Sequence, residues 1–425
     1  MKILWLKTEL LHPVDKGGRI RTYQMLKELR KEHEITYLTL DDGNAAPDAR
    51  DLSNEYCSNL ITVPHSVAPK FSPRFYAEIA GNIFSELPYF IAKYHSPAMR
   101  QAIEKTLAEG RHDILICDFL HPAINLPDEI NIPTLLFQHN VEAMIWKRHY
   151  QVANNFGKRA YLRSQWHRAV GFEKQACSRF DAVVAVSKDD AEVFRSEYGH
   201  GRVFDIGTGV DTDYFTPVNG DRTTKPNIVF TGSMDWLPNS DAVRWFIKEI
   251  FPLIKQEVPE ATFTVVGRDP FPDLLELAKR DTAIRVTGRV DDVRPNMREA
   301  AVFVVPIRIG GGTRLKIFEA MAMGLPVVST TVGAEGLPVT DGNEIVLRDS
   351  PDTFSRSVIS LLQERNTASK TAETACRVVR DKFGWSSIAK QFEDIVVDVI
   401  DTRKDAAAES ESIGHLQARS VGQVR

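Results

Sequence analysis

The sequence is poor in cysteine, has no long apolar run and carries no excess of charge of either sign. Its four cysteines, Cys57, Cys117, Cys177 and Cys376, are scattered over 425 residues, with no C-x-x-C pair and no Cys/His cluster. That spacing argues against a zinc knuckle and predicts plain buried thiols in a reducing compartment. The first apolar run, 3–6, is cut at Lys7 and Glu9, so no secretory signal is expected. Other runs, such as 300–306, are strand-sized, whereas a spanning helix needs about 20 apolar residues. A cytoplasmic protein is expected, with any membrane contact peripheral and on the inner face. Lys and Arg number 53 against 57 Asp and Glu, a net charge of −4, which gives no global reason to bind nucleic acid. No G-x-G-x-x-G follows the first apolar run, so a nicotinamide-type fingerprint is missing. No Asp-x-Asp pair stands beside a phosphate-type loop, and neither a metal nor a resident cofactor is expected.

What is present is apolar material for full cores. The chain is 43% hydrophobic and 26% charged, and its length suits two domains of roughly 200 residues. The first half beats as strand, Gly-containing loop, helix, strand. Strands are expected at 2–6, 34–40, 60–63, 114–117, 134–138 and 182–186, with helices at 19–31, 74–84, 97–109 and 158–177. The stretch 204–220 breaks the beat with Gly207, Gly209, Pro217 and Gly220, a hinge composition. The pattern then restarts. Strands are expected at 228–231, 262–266, 284–287, 302–305, 327–330 and 344–347, with helices at 240–256, 315–323 and 353–364. The fold class is therefore α/β, two doubly wound parallel-sheet domains, 1–205 and 206–384. A last amphipathic helix is expected over 385–403, closing a segment 385–404, and the Ala-, Glu- and Ser-rich 405–425 reads as a disordered tail.

Gly17 and Gly18 sit between the first strand and the first helix. Glycines there let backbone N–H groups approach a phosphate with help from the helix dipole, although a tight turn explains them as well. The richest stretch is Gly310, Gly311, Gly312, Thr313, Arg314, Leu315 and Lys316, after the strand 302–305 and before a helix. Three glycines expose successive N–H groups, Thr313 suits a helix cap, and Arg314 and Lys316 bring two cations where an anion is already favoured. This reads as a diphosphate cradle; without the cations it would read as a flexible turn. Glu319 lies on the first turns of that helix, as a holder of vicinal ribose hydroxyls or as a solvated helix carboxylate. The run 147–179 holds eight Lys and Arg and the single acid Glu173, interleaved with Tyr161, Trp166 and Phe172. It fits either contact with anionic lipid or a lipid-diphosphate acceptor, or a solvated helix face.

At this point the residues resemble a known family. The segment 316–330 is similar to the signature of the retaining glycosyltransferases of family 4, which have the two-Rossmann GT-B fold. Gly207-Thr208-Gly209-Val210-Asp211-Thr212-Asp213-Tyr214-Phe215 looks like the family's interdomain segment, 185–188 like its "VSK", and 341–344 like the loop before its last strand. The form is that of an exopolysaccharide-type transferase with a glycine-rich variant of the E-x7-E motif. The resemblance implies a nucleotide-sugar donor held mainly by the C-terminal domain, an acceptor on the N-terminal domain, catalysis in the cleft they face, and a C-terminal helix crossing back to the N-terminal domain. Glu319 matches the second motif carboxylate, which binds the donor ribose; Gly311 stands where the first would be. The stretch 231–239, which includes Gly232, lacks the cations that many members carry after the first strand of that domain, so Arg314 and Lys316 take the diphosphate. By its place at the end of the strand 134–138, His139 reads equally as a functional side chain pointing into a cleft and as plain polar packing, and it matches the family's histidine against the donor sugar. Glu142 is a lesser candidate.

The implied reaction moves a glycosyl group from a nucleoside-diphosphate sugar to a saccharide or lipid-linked acceptor, with retention. Arg314, Lys316, the glycine-loop amides and the helix dipole stabilise the leaving diphosphate without a metal. No second carboxylate is placed as a nucleophile, so a same-face displacement fits better than a double displacement. Two rivals share the architecture: a nucleotide-sugar 2-epimerase, and a non-catalytic nucleotide-sugar-binding partner in polysaccharide assembly.

Overall fold

In the computed structural model, residues 1–14, 17–153, 155–217, 225–309 and 314–421 are described. The chain forms two compact units, Met1–Gly207 with Ala389–Arg425, and Thr208–Ile388.

The first unit holds a parallel sheet of seven strands: β1 (Lys2–Lys7), β2 (Glu34–Asp41), β3 (Asn59–Pro64), β4 (Ile114–Asp118), β5 (Thr134–Gln138), β6 (Ala182–Ala185) and β7 (Val203–Asp205). Their order is β3-β2-β1-β4-β5-β6-β7, so the winding reverses between β1 and β4. In the register of that pair, Leu6 lies opposite Cys117. The six strands read from sequence are present with ends shifted by a residue or so. The three-residue β7 was missed, since it is too short to show a period.

The second unit holds a parallel sheet of six strands: β8 (Asn227–Thr231), β9 (Thr262–Val266), β10 (Ile284–Val286), β11 (Val302–Val305), β12 (Val327–Ser329) and β13 (Val346–Leu347). Their order is β10-β9-β8-β11-β12-β13, and the winding reverses between β8 and β11. Along β11, Phe303 and Val305 join one apolar cluster, while Val302 and Val304 join the other. A strand apolar at every position is what a sheet covered on both faces requires. Each such side chain contributes about 1.5–3 kcal/mol on burial.

Two sequence expectations are corrected. The helix expected over 240–256 is two helices, Leu237–Trp245 and Phe251–Glu257, joined by a wider turn, Phe246–Ile250. Pro252 has no N–H to continue an i→i−4 ladder, and the wider turn makes room for its ring. The last helix does not end at 403: Trp385–Val421 is one helix, and of the stretch 405–425 expected to be a disordered tail, 422–425 lie outside the described residues. Alanine and glutamate, frequent in that stretch, are good helix formers. The apolar stripe itself falls as expected, with Ile388, Phe392, Val396, Val399 and Ile400 buried. Phe392 packs on Trp5 at 5.8 Å and on Phe137 at 5.1 Å, and Arg202 pairs with Asp398 at 2.7 Å, so from Ala389 this helix belongs to the first unit.

Candidate active site

In doubly wound sheets, ligands bind beyond the carboxyl ends of the strands where the winding reverses. In the first unit that point lies between Lys7, the last residue of β1, and Asp118, the last of β4. Lys7 Nζ lies 2.9 Å from Asp118 Oδ2, with side-chain exposures of 2% and 0%. The same oxygen accepts from Trp5 Nε1 at 3.0 Å and from Thr22 Oγ1 at 2.6 Å. A buried ion pair needs further hydrogen bonds around it, and here three donors share Oδ2, while Oδ1 receives none among the described residues. Burial by itself raises the Asp118 pKa, but Lys7 and then His139 outweigh it and hold the carboxyl well below its ordinary range.

His139 follows β5 directly, and its side chain is enclosed. It is 3% exposed. Its Nε2 stands 2.9 Å from Asp118 Oδ1, and its ring stacks on Phe119 at 3.9 Å and 27°. Phe119 reaches that place from the end of β4 with a φ of 69°. Burial pushes the His139 pKa down to about 3, with Asp118 opposing. Gly18 serves the same packing, because a Cβ there would lie 2.9 Å from Phe119 Cζ. Gly17 opens the helix Gly17–Leu29.

The segment after His139 is anchored from behind. Glu173, buried on the helix Phe156–Cys177, accepts from Gln138 Nε2 (3.1 Å), Glu142 N (2.9 Å), Ala143 N (3.0 Å) and the Tyr198 hydroxyl (2.9 Å). It thereby satisfies the first N–H groups of the helix Glu142–Val152. Burial raises its pKa to about 8 against those donors. Glu142 is half-buried, and burial lifts it to about 7, with Lys93 opposing. The single acid of the basic run is thus internal. Of the cations, Arg168 donates to the carbonyls of Asn82 and Ile83 at 2.6 and 2.8 Å, while Arg159 lies over Tyr150 at 5.1 Å. Tyr150, Phe156, Arg159, Arg163, Ser164 and His167 line a cavity of about 480 Å³.

In the second unit the winding reverses between Thr231, the end of β8, and Val305, the end of β11. Gly232 follows β8 with a φ of +154°, and a Cβ there would meet Lys316 Nζ at 2.6 Å and Asn239 Nδ2 at 2.8 Å. Lys316 Nζ donates to Asn239 Oδ1 at 3.0 Å and lies 4.3 Å from the centre of the Phe230 ring. The cation missing from 231–239 is therefore supplied to that stretch by the helix Leu315–Ala322. Burial lowers Lys316 to about 7, with Arg314 adding to the shift and Glu319 opposing it. Burial raises Glu319 to about 7, with Lys316 opposing. Arg314 precedes this helix, and its Nε and Nη2 are buried without a hydrogen-bond partner among the described residues. Gly310, Gly311, Gly312 and Thr313 lie outside the described residues.

Sequence reasoning missed Asp118, Lys7, Asn239 and Glu173. Lys7 and Asp118 did leave a signal: each is a charged residue that directly follows an apolar run, 3–6 and 114–117, and closes its strand. Three of the segments that carried the family resemblance, 185–188, 207–215 and 341–344, hold local structure. Ser187 caps the helix Lys188–Ser196 by accepting from Asp190 N at 3.1 Å. Asp211 accepts from Asp213 N and Tyr214 N, and a Cβ at Gly209 would meet Trp385 at 2.5 Å. Glu344 accepts from Thr340 N at 2.9 Å. Among the described residues, no group of three or more His, Cys, Asp and Glu is arranged to hold a metal.

Two family models match consecutive parts of the chain: Glycosyltransferase Family 4 over 16–214, and Glycosyl transferases group 1 over 225–364. A Klebsiella pneumoniae protein described as an uncharacterized 44.6 kDa protein in the cps region is 20% identical over 92% of this chain and 99% of its own length. The phosphatidyl-myo-inositol mannosyltransferase of Mycobacterium tuberculosis is 24% identical over 77% of this chain and 84% of its own. Among solved structures, Anabaena HepE in complex with UDP and glucose is similar with a TM-score of 0.60 at 14% identity, covering 93% of this chain and 99% of that one. Two sheets that each reverse their winding, matched one after the other by glycosyltransferase models, make this chain a glycosyltransferase of the GT-B fold.

Proposed function

We propose that the chain transfers a glycosyl group, with retention, from a nucleoside-diphosphate sugar to a saccharide or lipid-linked acceptor in cell-surface polysaccharide synthesis. The observation that carries this reading is the guanidinium of Arg314, with two buried nitrogens and no hydrogen-bond partner among the described residues. A buried charged donor without a partner is costly, and a diphosphate oxygen removes that cost. Lys316 and the turn at Gly232 stand at the reversal point of the same sheet, where a phosphate group binds in doubly wound folds. Glu319, on the helix that carries Lys316, takes the ribose diol.

The difficult event is departure of the diphosphate as positive charge builds on the sugar. Two protein cations aimed at the leaving group stabilise that charge without a metal. Retention follows from a same-face displacement in which the leaving phosphate takes the acceptor proton. His139, matched by resemblance to the family's sugar-contacting histidine, is the catalytic candidate of the first unit. The cavity lined by Arg159, Arg163 and His167 with Tyr150 and Phe156 suits an acceptor that pairs anionic with apolar groups. That fits a cytoplasmic enzyme working at the inner face of a membrane. The Klebsiella relative from a cps region and the phosphatidyl-inositol mannosyltransferase support the polysaccharide setting and the lipid-linked acceptor.

The test is a panel of nucleoside-diphosphate sugars screened for thermal stabilisation. A ligand at a hundred times its Kd is expected to add about 2.7 kcal/mol. The selected donor is then assayed for transfer in the presence of chelator. Stabilisation by none of them, or by nucleosides as well as by their diphosphates, overturns the reading.

A further inference from the structure

We propose that one face of the first unit, built from the helices Glu142–Val152 and Phe156–Cys177 and from the segment 71–84 beside them, docks on a bilayer surface that carries anionic lipid. This deepens the membrane setting of the transferase reading by naming the residues that make the contact.

The most exposed apolar side chains gather here. Among the described residues Phe84 is 92% exposed, Phe156 88% and Phe71 77%, above every other large apolar side chain, and Tyr76 and Ile83 are more than half exposed. Apolar residues exposed singly need no explanation, but a joined group marks an interaction surface. These are joined. Phe71 lies edge-on to Phe75 at 6.2 Å, and Phe75 to Tyr76 at 5.5 Å and to Tyr89 at 5.7 Å. Tyr89 N donates to Gln165 Oε1 at 2.7 Å, and Arg168 donates to the carbonyls of Asn82 and Ile83. The segment 71–84 is therefore fixed to the helix that opens on Phe156. Along that helix Phe156, Ala160, Arg163 and His167 recur at helical spacing and line the cavity, so the stripe runs from Phe156 to the residue before Arg168. Glu142 and Ala143 meet Glu173, and Tyr150 stacks on Trp166 at 5.8 Å, so the two helices run antiparallel and bring Tyr150 into the same cavity.

Charge selects the occupant. Between Glu142 and Glu173 no acid occurs, and the stretch holds Lys147, Arg148, Lys158, Arg159, Arg163 and Arg168. Among the described residues none of these six is in an ion pair, whereas Arg74, Arg100 and Arg195 of the same unit each pair with a carboxylate. Lys147 lies over Trp166 at 5.6 Å and Arg159 over Tyr150 at 5.1 Å, contacts that do not neutralise their charge. A protein interface keeps charge out of its core, but here cations and rings share one stripe. A headgroup layer accepts that mixture, since guanidinium and ammonium groups meet lipid phosphates while aromatic rings settle at headgroup level. The cavity of about 480 Å³, with Arg159 and Arg163 in its lining, has the room and the donors for one phosphate headgroup.

Co-sedimentation of the ligand-free full chain with vesicles tests this. The chain is expected to bind vesicles of phosphatidylcholine mixed with phosphatidylglycerol, to ignore phosphatidylcholine alone, and to be released as salt rises. Equal binding to both vesicles, or to neither, overturns the proposal. Each Lys or Arg near an anionic surface strengthens binding about fivefold, so Arg159→Ala with Arg163→Ala is expected to weaken it about twentyfold. Phe84→Ser with Phe156→Ser is expected to weaken it about tenfold or more. All four side chains are exposed, so the thermal transitions of both variants are expected to match wild type. Leu275→Ser removes an exposed apolar side chain of the second unit and is expected to leave binding within about twofold. A loss below about threefold in both double variants, or an equal loss in Leu275→Ser, overturns the proposal. So does complete competition by soluble glycerol phosphate, which would make the cavity a site for free phosphate. A dimer in sedimentation velocity that dissociates in Phe84→Ser with Phe156→Ser would make the face an interface between copies and also overturn it. The vesicle assay holds no donor and no acceptor, so its failure and the failure of the transferase reading remain separable.

Discussion

Replacing Arg314 with alanine separates binding from folding. Most arginines at the ends of strands and helices hold a partner, and their removal strands that partner in the interior. Arg314 differs, since its Nε and Nη2 are buried and bonded to nothing among the described residues. The ligand-free fold therefore loses no hydrogen bond at these atoms in Arg314→Ala and sheds part of a desolvation cost. An unmet buried polar group costs roughly 1–3 kcal/mol, and the half-buried state of this side chain reduces that. Thermal stability without ligand is expected to stay the same or rise slightly. Diphosphate binding behaves in the opposite way. Losing a charge-assisted bond costs about 2 kcal/mol, which is roughly a thirtyfold rise in Kd. Titration calorimetry with a nucleoside diphosphate and with its parent nucleoside reads both arms. The nucleoside is expected to bind equally well to wild type and variant. Equal losses for the two ligands, or a clear fall in the stability of the empty protein, would refute the assignment of Arg314 to the diphosphate.

Burial lowers Lys316 to about 7, below its unfolded value, so between that pH and the ordinary lysine range the unfolded chain holds the extra proton and stability rises with pH. Diphosphate binding favours the charged form, so affinity is expected to fall as pH rises above about 7 and binding near pH 8 to take up a proton. Calorimetry in buffers of different ionisation enthalpy measures this uptake, and its persistence in Lys316→Met would remove Lys316 as the source. Glu319→Gln is expected to raise the donor KM with folding intact, and a donor lacking the 2′ and 3′ hydroxyls should show no further loss in this variant; if that donor binds wild type as well as its parent does, Glu319 has no ribose role. His139→Ala is expected to cut turnover about a hundredfold, the scale for losing a positioned polar group at the reacting centre, with donor affinity changed by less than about tenfold. Near-normal turnover would mark it as a packed strand-end residue.

The sequence by itself determined the local structure of this protein and the class to which it belongs. Uninterrupted apolar runs such as 302–305 could only be strands covered on both faces, and they are. A serine ahead of a polar first turn, as at Ser187 and Ser350, set where helices begin. Local rules also had limits: Pro252 split a helix that its apolar period joined, and a polar, alanine-rich segment still continued a helix. The glycine pattern and the pair Arg314 and Lys316 were legible because cations after a glycine loop have a meaning within a few residues. What only the tertiary structure decided was which distant groups meet. Lys7 and Asp118 are 111 positions apart, and Lys316 and Asn239 are 77 apart. No period or spacing links such pairs; the strand order does, by setting β1 beside β4 and β8 beside β11. The surroundings of His139 were out of reach for the same reason. Its direction is fixed by the buried charge of Asp118 on one side and the ring of Phe119 on the other, and both come from a neighbouring strand, where electrostatics and packing act across space without regard to sequence.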